Sequence, residues 1–217
     1  MSSNSQVSVK FDIESIRKKI LSNILAMLFE RKHISSNKLI ELNKFFEKQD
    51  DNGLYIVDLD LNNIKPELNN DNYLKNFKDN KIYIKLFSQK IYGLNKSPMI
   101  KEFIDENKYI HKIIVFTSII EKARQTLIRN PNTEVFNEPF FMLNLVEHID
   151  SPIYEILNDE EIAELLTCNL TKNQLMKILI SDPGAMYMNL KRGQIVRIIR
   201  CSEQTGISHV YRICAKA

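Results

Sequence analysis

The chain has 217 residues, 44% of them hydrophobic and 26% charged, a composition of ordinary globular type that leaves room for one large domain or two small ones. No apolar run approaches the about 20 residues that a membrane-spanning helix needs, and residues 1–10 hold no apolar signal core. Cys168, Cys201 and Cys214 form no CxxC pair and leave one thiol over in any pairing, so the chain is expected to be soluble, unprocessed and not secreted, with free thiols in a reducing compartment.

The net charge of +3 is unevenly placed. From residue 180 onward Lys191, Arg192, Arg197, Arg200, Arg212 and Lys216 face only Asp182 and Glu203, which puts +4 there and −1 on the rest. Such a patch suits phosphate, an acidic protein surface or plain solvation. The 22 Asn, 30 Ile and 22 Lys all have A/T-rich codons, which points to an A/T-rich genome and warns against reading chemistry into single lysines.

In chain order, Asp12 is placed to cap a helix running to about Arg31, with Ile13, Ile16, Ile20, Ile24 and Met27 or Leu28 on one face. Ser35 or Ser36 opens a second helix with Leu39, Leu42 and Phe46 inward; residues 54–59 read as a strand, followed by an Asn-rich loop at 62–80. Ile82, Ile84 and Leu86 alternate with Lys81, Tyr83 and Lys85 as in a half-buried strand, and Ser97-Pro98 supplies a cap and a first-turn proline for a helix carrying Ile100, Phe103 and Ile104. The unit recurs with a strand at 113–117 and a helix at 119–129, and a further strand is predicted at 140–146 after the proline-containing turn 131–139. Residues 1–142 thus read as an α/β domain with a small sheet. Beyond it, residues 158–161 start an acidic-ended helix, Thr171 and Gln174 form a capping box for the next, and Asp182-Pro183 starts a third. Residues 193–201 and 207–214 read as an antiparallel hairpin, for which Gly193 admits a tight entry and Gly206 a positive-φ turn position. No internal repeat is found.

The run Ser181-Asp182-Pro183-Gly184-Ala185-Met186-Tyr187, then Leu190-Lys191-Arg192-Gly193-Gln194-Ile195-Val196-Arg197-Ile198-Ile199-Arg200, Ser202-Glu203 and finally Tyr211-Arg212, resembles the C-terminal signature of the fifth subunit shared by eukaryotic RNA polymerases and of its shorter archaeal counterpart. Glu147-His148, Pro152, Glu160-Glu161, Glu164-Leu165-Leu166 and Asn173-Gln174-Leu175 extend the match to about residues 143–215, and Ala123-Arg124-Gln125-Thr126-Leu127 continues it more weakly upstream. The resemblance implies an α+β protein: an N-terminal α/β jaw domain at 1–142 and a C-terminal α+β assembly domain at 143–217 that ends in the hairpin. It implies a non-catalytic polymerase subunit that docks on the largest subunit and contacts other subunits, with the jaw near downstream double-stranded DNA. The implied docking residues are Asp182, Pro183, Tyr187, Lys191, Arg192, Gly193, Arg197, Arg200, Ser202, Glu203, Tyr211 and Arg212, and the DNA-proximal ones Lys122 and Arg124. No cofactor, metal, membrane or small-molecule substrate is implied. The chain departs from the family pattern at Asn189 (glycine in the family), Met186 (arginine) and Cys201 (proline), and Ile120-Glu121-Lys122-Ala123 replaces a Thr-Pro-Ser-Ala turn. A diverged jaw with an A/T-biased composition fits a large DNA virus or a protist, hence a nucleus if cellular, or host cytoplasm and virion if viral.

From the residues alone, Arg197, Arg200 and Arg212 alternate with Ile and Val, so a hairpin can bury its aliphatic face while turning guanidiniums to a partner's carboxylates or simply to water. Asp58 and Asp60 form a DxD pair that could hold Mg²⁺, though solvation of a strand end accounts for them. Glu106-Asn107-Lys108 has ExK nuclease spacing but falls at a helix end. His33, His111, His148 and His209 lie far apart in sequence without zinc-ligand spacing, and neither GxxxxGK nor GxGxxG occurs. The competing readings are an independent nucleic-acid-binding protein and a degenerate nuclease-like enzyme.

Overall fold

A computed structural model of the chain describes residues 13–46, 53–59, 80–91, 97–144, 151–167, 171–202 and 206–216. Its first helix, α1 (Ile13–Glu30), buries Ile20, Leu21, Ile24, Leu25, Met27 and Leu28, whereas Ile13 is exposed, so the apolar stripe begins a turn later than expected. The helix closes without glycine. Lys32 takes the left-handed conformation (φ 62°), and the His33 and Lys32 amides donate to Leu28 and Phe29. This ending fixes Arg31 at the helix terminus. The capping role of Asp12 lies outside the described residues. Helix α2 (Ser36–Phe46) packs Leu39, Leu42 and Phe46 against the same core.

Strands β1 (Leu54–Asp58), β2 (Lys81–Ile91), β3 (His111–Ile119) and β4 (Thr133–Asn137) form a sheet in that order, with β1 antiparallel to β2 and the other pairs parallel. Ile82, Ile84, Ile113 and Val115 face α1 and α2. Phe87, Ile91, Ile114 and Phe116 face α3 (Pro98–Glu106) and α4 (Glu121–Ile128). The unbroken apolar run of β3 follows from this double cover, since a parallel strand with helices on both faces has no solvent side. Ser97 makes no side-chain cap; its carbonyl instead accepts from the Ile100 amide.

The last strand of this sheet lies earlier than the sequence suggested. Residues 133–137, read as part of a turn, are β4, where Thr133, Val135 and Phe136 are buried. The described part of the expected strand, residues 140–144, is instead the end of a 3₁₀ turn, Glu138–Phe141, with Pro139 in its first turn, and the irregular chain after it. Phe140 and Phe141 owe their apolar character to ring packing on Phe136, at 4.9 and 5.0 Å between centroids.

The second sheet contains β5 (Ile153–Ile156), β6 (Met176–Leu179), β7 (Ile195–Ser202) and β8 (Gly206–Ala215), ordered β5-β7-β8-β6. The pairings β5/β7 and β7/β8 are antiparallel, whereas β6/β8 is parallel. Helix α5 (Asp159–Thr167) packs on one face and α6 (Pro183–Tyr187) on the other. Asn158 and Glu161 exchange the two bonds of a capping box, at 2.7 and 3.0 Å. Thr171 and Gln174 form a second box, but it closes only one 3₁₀ turn, Lys172–Gln174. Leu175 is then drawn into a core with Leu157 and Ile195, and the next residues pair with β8 as β6 rather than continuing a helix. The fold is α+β and ends in a β-hairpin, as the sequence implied.

Candidate docking surface

The signature residues build one continuous structure. Asp182 caps α6, its carboxylate accepting the Gly184 amide at 2.9 Å, and Pro183 occupies the first turn where its missing N–H costs nothing. A Cβ at Gly184 would run into the outer end of the Tyr154 ring, which would have to shift. The helix ends in a Schellman turn, with the Leu190 amide on Ala185 (2.9 Å), the Asn189 amide on Met186 (3.1 Å) and Asn189 itself left-handed at φ 52°. The departure from the family's glycine is therefore conservative, because asparagine is the residue that best tolerates this conformation after glycine. Lys191, Arg192 and Gly193 form the exposed turn that leads into β7, with Gly193 at φ 88° and its amide bonded to Cys214.

Strand register separates the three hairpin arginines, contrary to the expectation of one basic face. Arg197 lies on the α5 side, opposite Tyr211. It contacts the Glu155 carboxylate at 2.7 Å and the Glu161 carboxylate at 3.5 Å, so its guanidinium is engaged within the chain. Arg200 and Arg212 lie on the α6 side. Arg200 is exposed, whereas Nε of Arg212 is buried and has no hydrogen bond among the described residues. Both charges act on the Tyr154 hydroxyl, whose pKa is raised chiefly by burial and by Asp182 and is lowered by the two arginines. Tyr187 is 5% exposed and belongs to the core under α1, so it shapes the surface from below. Ser202 pairs with Gly206 (φ 71°) at the hairpin end, and Glu203 lies outside the described residues. On α4, Lys122 is exposed, while Arg124 turns inward to the Val135 carbonyl (3.4 Å) and Met186 Sδ (2.9 Å).

A buried polar cluster, invisible in the sequence, joins the two sheets' elements. The Arg31 guanidinium, 3% exposed, grips Glu134 on β4 with bonds of 2.9 and 2.8 Å and donates to the Tyr187 and Met186 carbonyls at 2.6 and 3.0 Å. It thereby satisfies the Tyr187 carbonyl at the C-terminus of α6 and adds a further donor to that of Met186. Glu134 also meets His111 Nε2 at 2.6 Å and accepts from the Asn189 side-chain Nδ2 at 3.1 Å. Burial by itself raises the Glu134 pKa, but the charge of Arg31 and the bond to His111 outweigh it and hold the carboxyl well below the usual carboxylate range. His33 beside them is pushed down from 6.5 to about 3, first by burial and then by the charges of Arg31 and His111. The charge of His111 thus reaches His33, yet among the described residues no group of three or more His, Cys, Asp or Glu is arranged to hold a metal. Asp58 is an exposed strand end, Asp60 lies outside the described residues, and Glu106 ends α3, as expected.

Residues 143–214 match the family model described as RNA polymerase Rpb5, C-terminal domain. DNA-directed RNA polymerase subunit 5 of Acanthamoeba polyphaga mimivirus is 30% identical over 201 residues, covering 89% of each chain. The chain belongs to the RNA polymerase subunit 5 family. Among eukaryotic relatives, the subunit rpabc1 of RNA polymerases I, II and III from Dictyostelium discoideum is 36% identical over 108 residues, 47% of this chain and 55% of its own. The corresponding RPABC1 of Caenorhabditis briggsae is 38% identical over 105 residues, 46% of this chain and 50% of its own. The likeness to the viral subunit 5 thus extends over both sheets, whereas the two eukaryotic matches cover about half of each chain. No helix among the described residues is long and apolar enough to cross a membrane.

Proposed function

We propose that this chain is a non-catalytic subunit of a DNA-dependent RNA polymerase, held in the complex by its C-terminal half. The observation that carries this reading is the likeness to the viral subunit 5 along 89% of both chains. In this reading residues 143–217 form the assembly domain and dock on the largest subunit. The exposed Lys191, Arg192 and Arg200 make the contacts, while Asp182, Pro183, Gly193, Tyr187 and Tyr211 hold the surface in shape. Residues 1–142 form the jaw beside downstream DNA, where Lys122 is the cation turned to solvent and Arg124 is not. The jaw acts by position: residues 1–142 hold 22 Lys and Arg against 18 Asp and Glu, an excess too small to attract a duplex strongly. The complex works in the nucleus, or in host cytoplasm and virion if virally encoded.

Affinity purification of the tagged chain from its native source, followed by mass spectrometry, tests the reading. Two very large polymerase chains should co-purify in equal molar amount. A chain that runs alone and binds DNA with steep salt dependence would overturn it in favour of an independent nucleic-acid binder.

A further inference from the structure

A cleft of about 380 Å³ opens between the α4–β4 connection and the loop after α6. Its mouth is cationic, with Arg124, Arg129, Lys191 and Arg192 all among its lining residues. Arg129 and Arg192 are exposed, and among the described residues neither has an ion-pair or hydrogen-bond partner. The single acid in the lining is Glu134, and Arg31, His111 and Asn189 already compensate it. The walls, by contrast, are apolar, and they include Ile128 and Ile180, 44% and 38% exposed.

We propose that this cleft receives a segment of a partner polypeptide in which an apolar side chain is flanked by Asp or Glu. The inference rests on the polymerase-subunit reading and names the chemistry of one contact within it. Two exposed isoleucines in a concave site offer burial to an apolar anchor. The unpaired guanidiniums around them offer bidentate bonds to carboxylates on either side of that anchor. A nucleic acid fits less well. Phe136, the aromatic residue in the lining, is 2% exposed and leaves no ring face for base stacking. The site is also a pocket of side-chain size rather than an extended stripe that tracks phosphates. The cleft joins β4 of the first sheet to the loop after α6 of the second, so an occupant touches both halves at once.

The test places p-benzoylphenylalanine at position 128 of the full chain, purifies the native complex, irradiates it and sequences the crosslinked product. The expected product is one polymerase-subunit peptide with Asp or Glu within a few residues of the crosslinked apolar residue. Combining Arg129→Glu with Arg192→Glu should cut the yield about tenfold or more, while Arg129→Lys with Arg192→Lys should keep most of it. Both pairs change exposed side chains, and an unchanged far-ultraviolet circular dichroism spectrum confirms that they fold. A crosslink to nucleic acid, a peptide without acids, no crosslink, or a yield indifferent to charge reversal would overturn the proposal. If the chain purifies with the polymerase and one of these results follows, the inference about the cleft falls alone. If it does not purify with the polymerase, the subunit reading falls and takes the inference with it.

Discussion

Glu134→Ala is the sharpest perturbation of the buried cluster that ties β4 to α1 and α6. The carboxylate receives Arg31 at 2.9 and 2.8 Å, His111 at 2.6 Å and Asn189 at 3.1 Å. Side-chain exposure is 3% for Arg31 and 10% for Glu134, so the pair is largely withdrawn from water. Truncation leaves a buried guanidinium with only the Met186 and Tyr187 carbonyls, a loss of about 3–5 kcal/mol. Against a typical total of about 5–15 kcal/mol that is a large fraction. It corresponds to a fall in Tm of about 6–20 °C for a chain of this size. Arg31→Ala removes the same pair, so the double variant should fall short of the summed losses by about 2 kcal/mol or more. Urea unfolding of the full chain, followed by far-ultraviolet circular dichroism, measures all three. A loss under about 1 kcal/mol for Glu134→Ala, or strict additivity in the cycle, would refute the reasoning.

Three further outcomes are expected. His33 binds a proton in the unfolded chain below 6.5 but in the folded chain only near 3, so stability should be complete above pH 6.5 and fall as pH drops towards 3. The loss is roughly 3–5 kcal/mol, and His33→Gln should flatten that part of the stability–pH curve. Gly184→Ala, which in an open helix would stabilise, should cost about 1–3 kcal/mol because of the Tyr154 ring, and Tyr154→Leu in the same chain should reduce the penalty. Arg197→Ala should lower thermal stability slightly, by about 0.2–1 kcal/mol for a partly exposed pair, without weakening assembly with the polymerase; loss of assembly at unchanged stability would contradict its intrachain role.

Elements with a strong period or a cap were legible in the sequence. The apolar spacing of α1, the alternation around Ile82, the Asp182-Pro183 start and the positive-φ Gly206 all have local causes, and the structure shows each of them. The elements missed were short and set by their neighbours. β5 and β6 have four residues each and exist as edges laid against β7 and β8. β4 hid in a segment bounded by Pro131 and Pro139, whereas Phe140 and Phe141 imitated a strand by packing as a cluster. Arg31, His111, Glu134 and Asn189 could not be joined by sequence, because each contact spans 23 to 103 residues and depends on the finished fold. Strand alternation, read without the β7/β8 register, likewise could not tell which sheet face each arginine would share.

The central claim is membership of a working polymerase, and fractionation of the native enzyme tests it most directly. Extract from the source cells or virions is separated by salt-gradient chromatography and then by sedimentation, with the chain followed by antibody and each fraction assayed for DNA-templated RNA synthesis. The chain should peak with that activity through both steps, in constant ratio to the two largest polymerase chains. If it sediments as a free protein of its own 25.4 kDa while the activity moves elsewhere, the account is contradicted.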